Sequence, residues 1–214
     1  MTYVMPFLFL GLFSLDASAA IVTKVVGTVS DKVVTSREVR LNIILEKAVS
    51  GSRTNLVSDI DSDAFRKEVS QVLLEWMVFL EAQAFAAADV GADERKVAEE
   101  KLGELLKASN EVNNAWKSLN PTSGEREALL SRKLRAKKFI RFKTDSAFVT
   151  VTDREAQTYY QKNRVKFGSL PFEKFRESIK TFLSQQQADE RLKEWFRILQ
   201  KKYQVRHFGL EKNL

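Results

Sequence analysis

A chain of 214 residues with 44% hydrophobic and 29% charged side chains is long enough to bury a core of its own, and its mean hydropathy of −0.27 excludes a multi-span membrane protein. Three prolines and eight glycines exclude collagenous and Pro/Gly-rich disordered chains, while zero cysteines exclude disulfides, thiolate metal sites and cysteine nucleophiles. The single histidine, His207, excludes any site that needs two imidazoles.

The first residues are distinct in composition. Met5 to Leu15 is an apolar run, followed by Ala17-Ser18-Ala19, small residues where a signal peptidase reads the chain. This layout predicts a secretory signal peptide over residues 1–19 with cleavage before Ala20, although no Lys or Arg precedes the apolar run. The run is too short to span about 30 Å of hydrocarbon as a helix. Loss of the segment removes Asp16 and raises the net charge above the +7 of the whole chain. An exported chain without cysteine suits the bacterial periplasm better than a small disulfide-stapled secreted domain. The expected localisation is therefore periplasmic.

Residues 20–214 read as strands at the ends and helices between. Ile21 to Thr35 is rich in Val and Thr around Ser30-Asp31-Lys32, which predicts a hairpin. Thr35 with Glu38 forms a capping-box pattern that opens a helix through Leu41, Ile44, Leu45 and Ala48. A polar loop over 51–61 precedes a long helix from Ser62 to about Ala88, with Phe65, Val69, Val72, Trp76 and Phe79 along one face. Asp93 to Ser109 is a charged amphipathic helix, and Asn110 to Pro121 a short helix or irregular connection carrying Trp116. Thr122 with Glu125 is a second box, heading a helix to about Lys143. Thr152 with Glu155 is a third, heading a short helix with Tyr159 and Tyr160. Pro171 suits the first turn of a final helix reaching about Lys202, and Tyr203 to Phe208 alternates as a closing strand. A lone hairpin is marginal in water and gains from a third strand, so the two ends are expected to pair. The fold class is mostly α, with a small β element made by the N-terminal hairpin and the C-terminal strand, in one domain.

Two segments of this reading resemble the SurA/PrsA/PpiD group of envelope chaperones and foldases. Val25-Val26-Gly27-Thr28-Val29 followed by Val33-Val34-Thr35-Ser36-Arg37-Glu38-Val39 is similar to the strand pair and capped helix that open that group. Val149-Thr150-Val151-Thr152-Asp153-Arg154-Glu155, then Tyr159-Tyr160, Asn163 and Phe167, is similar to a later segment; Pro171-Phe172-Glu173-Lys174-Phe175-Arg176 onward to Trp195 resembles its closing helix. The group normally carries a parvulin prolyl-isomerase domain between these last two segments, where this chain has only Gly168-Ser169-Leu170. With one histidine and no cysteine, that isomerase site is not built here. The resemblance implies an ATP-independent periplasmic chaperone module, without isomerase activity, that binds unfolded or partly folded outer-membrane and secreted polypeptides.

The remaining residues argue against an enzyme. Asp59, Asp61 and Asp63 alternate, but the EF-hand pattern from Asp59 would need Gly at Ala64 and Glu at Ser70, so the acids are expected to favour a helix N-terminus. No Gly-x-Ser-x-Gly, phosphate loop or dinucleotide fingerprint occurs. No cofactor or metal is implied. Arg132 to Lys143 holds seven Lys or Arg interleaved with apolar residues. It reads as a solvated helix face, as a surface for acidic clients or anionic membrane, or as a nucleic-acid patch, which export disfavours. Val72 to Leu80 is apolar except at Glu75, so it is either a buried central helix or the floor of an exposed groove. In the second case Trp76, Met77, Phe79, Phe85 and Trp116 are the candidate peptide-binding residues. A non-catalytic adaptor holding one envelope partner is the alternative to a general chaperone.

Overall fold

The computed structural model describes residues 23–51, 56, 59–85 and 88–208, so the leader expected at residues 1–19 lies outside the described residues. The chain is mostly helical with one small antiparallel sheet. Strands β1 (Val25–Val29) and β2 (Lys32–Thr35) form the expected hairpin, and β3 (Arg206–His207) pairs with the other side of β1, giving the order β2-β1-β3. Gly27 faces His207 and Thr28 faces Arg206. Gly27 is the contact that admits the third strand. A Cβ there would lie 2.7 Å from the Arg206 carbonyl oxygen and 2.9 Å from a Leu73 methyl, so only glycine lets the sheet close beneath the next helix but one.

The helices follow as α1 (Ser36–Ser50), α2 (Asp63–Ala82), α3 (Ala92–Ala108), α4 (Asn110–Leu119), α5 (Ser123–Ala147), α6 (Asp153–Lys162), α7 (Arg164–Phe167) and α8 (Arg176–Lys202). Four threonine or serine caps start helices as expected: Thr35, Ser62, Thr122 and Thr152 each accept the amide three residues on. The stretch 110–121 resolves as a helix, capped by Ser109 and closed by Asn120 in the left-handed region (φ 44°) before Pro121. Helix α2 stops at Ala82, six residues before the sequence estimate. No breaker residue explains that stop; Arg135 of α5 donates to the Ala82 carbonyl (3.4 Å), and Phe85 leaves the helix axis to pack on Phe139 (5.0 Å). Pro171 heads a single 3-10 turn, Phe172–Lys174, and α8 begins only at Arg176.

Three apolar clusters organise the molecule. The main one lies between the sheet, α2, the C-terminal half of α5 and the end of α8, with Val29, Val34, Val39, Phe65, Met77 and Phe139 essentially without exposure. A second joins the far face of α1 to α3, α4 and the first turns of α5 through Leu41, Ile44, Leu45, Leu102 and Leu130. Helices α1 and α5 are therefore apolar on two sides, because each separates two cores. A third, smaller cluster gathers aromatic rings around Tyr160 and Ile179 where α6, α7 and the start of α8 meet. Helix α8, about 40 Å long at 1.5 Å per residue, connects this lobe to the main core, where Leu199 is buried. Its middle holds the extended 148–151 segment: Ser184 Oγ donates to the Val149 carbonyl (2.8 Å).

Candidate functional site

The polar centre of the molecule is built on residues that the hydrophobic periodicity would assign to the core. Glu75 is the one charged residue in an apolar turn of α2, and it points into the interface with α5, where Arg132 and Lys133 are 3% and 2% exposed. Glu75 accepts from Arg132 Nε (2.7 Å) through one oxygen and from Lys133 Nζ (2.8 Å) through the other. Lys133 also reaches Glu46 of α1 (2.8 Å), and Arg132 Nη1 reaches Glu38 at the start of α1. Charges in low dielectric are tolerated only when paired and hydrogen-bonded, and this chain of five alternating charges meets that condition. Burial pushes the Glu46 carboxyl up, yet the Lys133 charge and hydrogen bond outweigh it and hold the group below its ordinary value. Glu68, near the same ammonium but without a hydrogen bond to it, is raised by its burial.

Trp76 ties this network to the surface. Its indole N–H donates to Glu38 Oε1 (2.7 Å), and the Arg132 guanidinium lies over its ring at 4.2 Å. Phe79, one turn later, meets Trp76 edge-on at 5.8 Å. The two rings, with Thr35, Arg37, Glu38 and Leu129, line a groove of about 560 Å³ between β2, α2 and α5. Arg37 fixes one wall: it pairs with Glu125 of α5 and donates to the carbonyls of Leu119 (2.9 Å) and Asn120 (3.3 Å) at the end of α4. The remaining nitrogen of Arg132, Nη2, is buried and has no acceptor. Beside the groove runs β2, an edge strand, with Val33 half exposed. The two-residue turn makes Val29 and Lys32 the closing pair, so the alternation of an antiparallel ladder directs the backbone N–H and C=O of Val33 outward.

Of the five residues expected at a binding surface, the structure brings together Trp76 and Phe79 alone. Met77 is corrected to a core residue: it is 1% exposed, because its position about 100° round the helix from Trp76 turns it toward the sheet. Phe85 lies beyond the end of α2, with its ring on Phe139, and Trp116 packs on the second core from α4. Arg37, Glu38 and Arg132 were not singled out for this role. The available signal was Glu75 within an apolar run and Arg132-Lys133 at core spacing from Leu129 and Ala136.

The basic stretch Arg132–Lys143 is not one solvated face. Arg132 and Lys133 are buried, Arg135 pairs with Asp89 (2.7 Å), Lys137 approaches Glu46 (3.8 Å) and Lys138 pairs with Glu94 (3.0 Å). Lys143 lies over the Trp195 ring at 5.5 Å. Most of these cations are engaged by neighbouring helices and loops. His207 sits in β3 with Nε2 3.3 Å from the Arg66 carbonyl oxygen. Among the described residues no three His, Asp or Glu side chains gather as metal ligands, and no helix is long and apolar enough to cross a membrane.

Compared with protein-family models, with curated proteins and with solved structures, the chain gives no match.

Proposed function

We propose that this chain is an ATP-independent chaperone of the cell envelope that holds extended segments of unfolded or partly folded outer-membrane and secreted polypeptides, without isomerising proline bonds. The observation that carries this reading is the groove of Trp76 and Phe79 lying alongside the open edge of β2. An extended segment placed there adds a strand to β2 through main-chain hydrogen bonds, which ignore sequence, and directs alternate side chains onto the two rings. Each apolar side chain buried contributes at about 25 cal/mol per Å², enough for retention by several weak contacts and for release without nucleotide. A net charge of +7 speeds encounter with acidic segments.

The test is light scattering of a urea-unfolded outer-membrane β-barrel protein on dilution, without ATP. Near-stoichiometric amounts of the 20–214 chain are expected to suppress aggregation. Phe79→Ala is expected to lose most of that suppression while melting within a few degrees of the parent, whereas Trp116→Ala keeps it. Equal suppression by Phe79→Ala removes the groove from the reading. No suppression by the folded parent replaces the general chaperone with an adaptor for one partner, to be sought by pull-down. Export itself is checked by intact mass of protein recovered from the envelope, where the chain is expected to begin at Ala20; an unprocessed chain overturns the cleaved leader.

A further inference from the structure

The lobe made by α6, α7, the 172–174 turn and the start of α8 carries a second concavity, which shares no residue with the groove. Tyr159, Phe167, Phe175 and Phe182 form a cup of about 230 Å³, and Lys166 lies at its rim. The rings are mutually braced: Tyr159 meets Phe182 at 5.5 Å and Phe167 at 6.3 Å, and Phe167 meets Phe175 at 5.0 Å. Phe182 is nonetheless 51% exposed, so part of the apolar wall is unused by the fold.

The cations of this lobe, of which Lys166 lines the cup, differ from those of α5. Lys162, Arg164, Lys166 and Lys174 pair with no carboxylate among the described residues. Arg164 instead lies over the Tyr160 ring (4.7 Å) and donates to the Leu170 carbonyl (3.3 Å). Of the acids in this lobe, Glu173 pairs with Arg176 (2.5 Å), Asp153 pairs with Lys180 (3.0 Å) and Glu155 accepts from the Thr152 amide (2.7 Å), which leaves Glu177 as the exposed carboxylate set against these cations. An aromatic cup beside uncompensated cations is complementary to one kind of occupant.

We propose that the cup is a second binding site, for a polypeptide segment in which an aromatic side chain is flanked by carboxylates. The ring rests against the exposed part of Phe182 at the mouth of the cup with edge-to-face geometry, and a flanking carboxylate takes a charge-assisted hydrogen bond from Lys166. Val165 protrudes from the same lobe, 98% exposed, but the rings themselves form a concavity, which admits a peptide side chain rather than entering a lipid surface; a membrane contact is the outcome the test must separate. The site does not rest on the groove and gives the protein two separate holds on one long client.

The probe is a fluorescein-labelled peptide of Gly and Ser containing one Phe with two Asp on each side, read by anisotropy against the 20–214 chain. Binding is expected, with affinity falling as salt rises. Replacing the peptide's Phe by Ala, or its Asp residues by Asn, is expected to weaken binding about tenfold, the scale of one such contact. Phe182→Ala and Lys166→Glu, both at exposed positions with folding checked by circular dichroism, are expected to do the same. Phe79→Ala is expected to bind the peptide normally, so failure of the cup and failure of the groove are distinguishable. Equal binding of the Ala peptide, or no effect of both protein variants, overturns the cup in favour of a diffuse cationic surface. No peptide binding, with flotation on anionic phosphatidylglycerol vesicles lost in Phe182→Ala, overturns it in favour of a membrane contact. A dimer in sedimentation that Phe182→Ala dissociates overturns it in favour of a second copy of the chain.

Discussion

Glu75→Ala is expected to destabilise the protein by about 3–5 kcal/mol in urea unfolding, more than any exposed substitution, although the change removes only one small carboxylate. Arg132 and Lys133 each direct a nitrogen at that carboxylate from positions almost closed to water. Its loss leaves two adjacent cations of α5, each with one carboxylate remaining, on a surface too buried to hydrate the bonds they have lost. For a chain of this length, the expected fall in Tm is about 10 °C or more. Replacing Glu75, Arg132 and Lys133 by Leu, Met and Met, together with Glu38 and Glu46 by Gln so that no carboxylate loses its cation, is expected to recover most of the loss, because an apolar interface of similar volume carries no penalty for buried charge. A single Glu75→Ala variant within about 1 kcal/mol of the parent would mean that the network is hydrated and contributes nothing.

Phe139→Ala is expected to have an effect of the same size, about 3–5 kcal/mol, by a different route. Phe139 has no exposed surface and touches Phe85 (5.0 Å), Trp195 (5.9 Å) and Phe142 (6.1 Å), so it joins the end of α2 to α5 and α8. Truncation leaves a cavity at the junction of three elements that approach from different directions and cannot collapse together. The edge of its ring meets Trp195, whose emission is expected to shift to longer wavelength as water enters. An unchanged spectrum with a loss under about 1 kcal/mol would place the junction elsewhere.

The three capping-box patterns show how far the sequence carries the fold. Thr152-x-x-Glu155 closes on itself: the threonine hydroxyl accepts the Glu155 amide, and Glu155 accepts the Thr152 amide in return. Thr35-x-x-Glu38 and Thr122-x-x-Glu125 look identical in sequence, and their threonines do cap α1 and α5. Their glutamates, however, turn away to arginines 94 and 88 residues distant: Glu38 to Arg132 and Glu125 to Arg37. Helix starts depend on neighbours within one turn and were readable. The destination of a carboxylate depends on which helices pack together, and no local pattern encodes that. The same limit explains the binding surface. Trp76 and Met77 are adjacent and both suited to an adaptable groove, but only the sheet, absent from any local window, decides that Met77 faces inward. The hairpin, the closing strand and the helix order were legible because alternation, caps and turn residues act locally.

The pairing of Gly27 with His207 has a consequence for how the chain reaches this fold. Synthesis delivers the N-terminus first, so β1 and β2 stand as a two-stranded ribbon until Arg206 and His207 have followed. Closing a loop of this length carries an entropic term that grows only as the logarithm of the number of residues, but it arises at the last step rather than the first. The helical body therefore has time to assemble on local contacts, and β3 arrives as a latch. A nascent chain lacking its final residues would keep β1 open on the side β3 covers, the same kind of backbone edge that β2 presents in the finished protein.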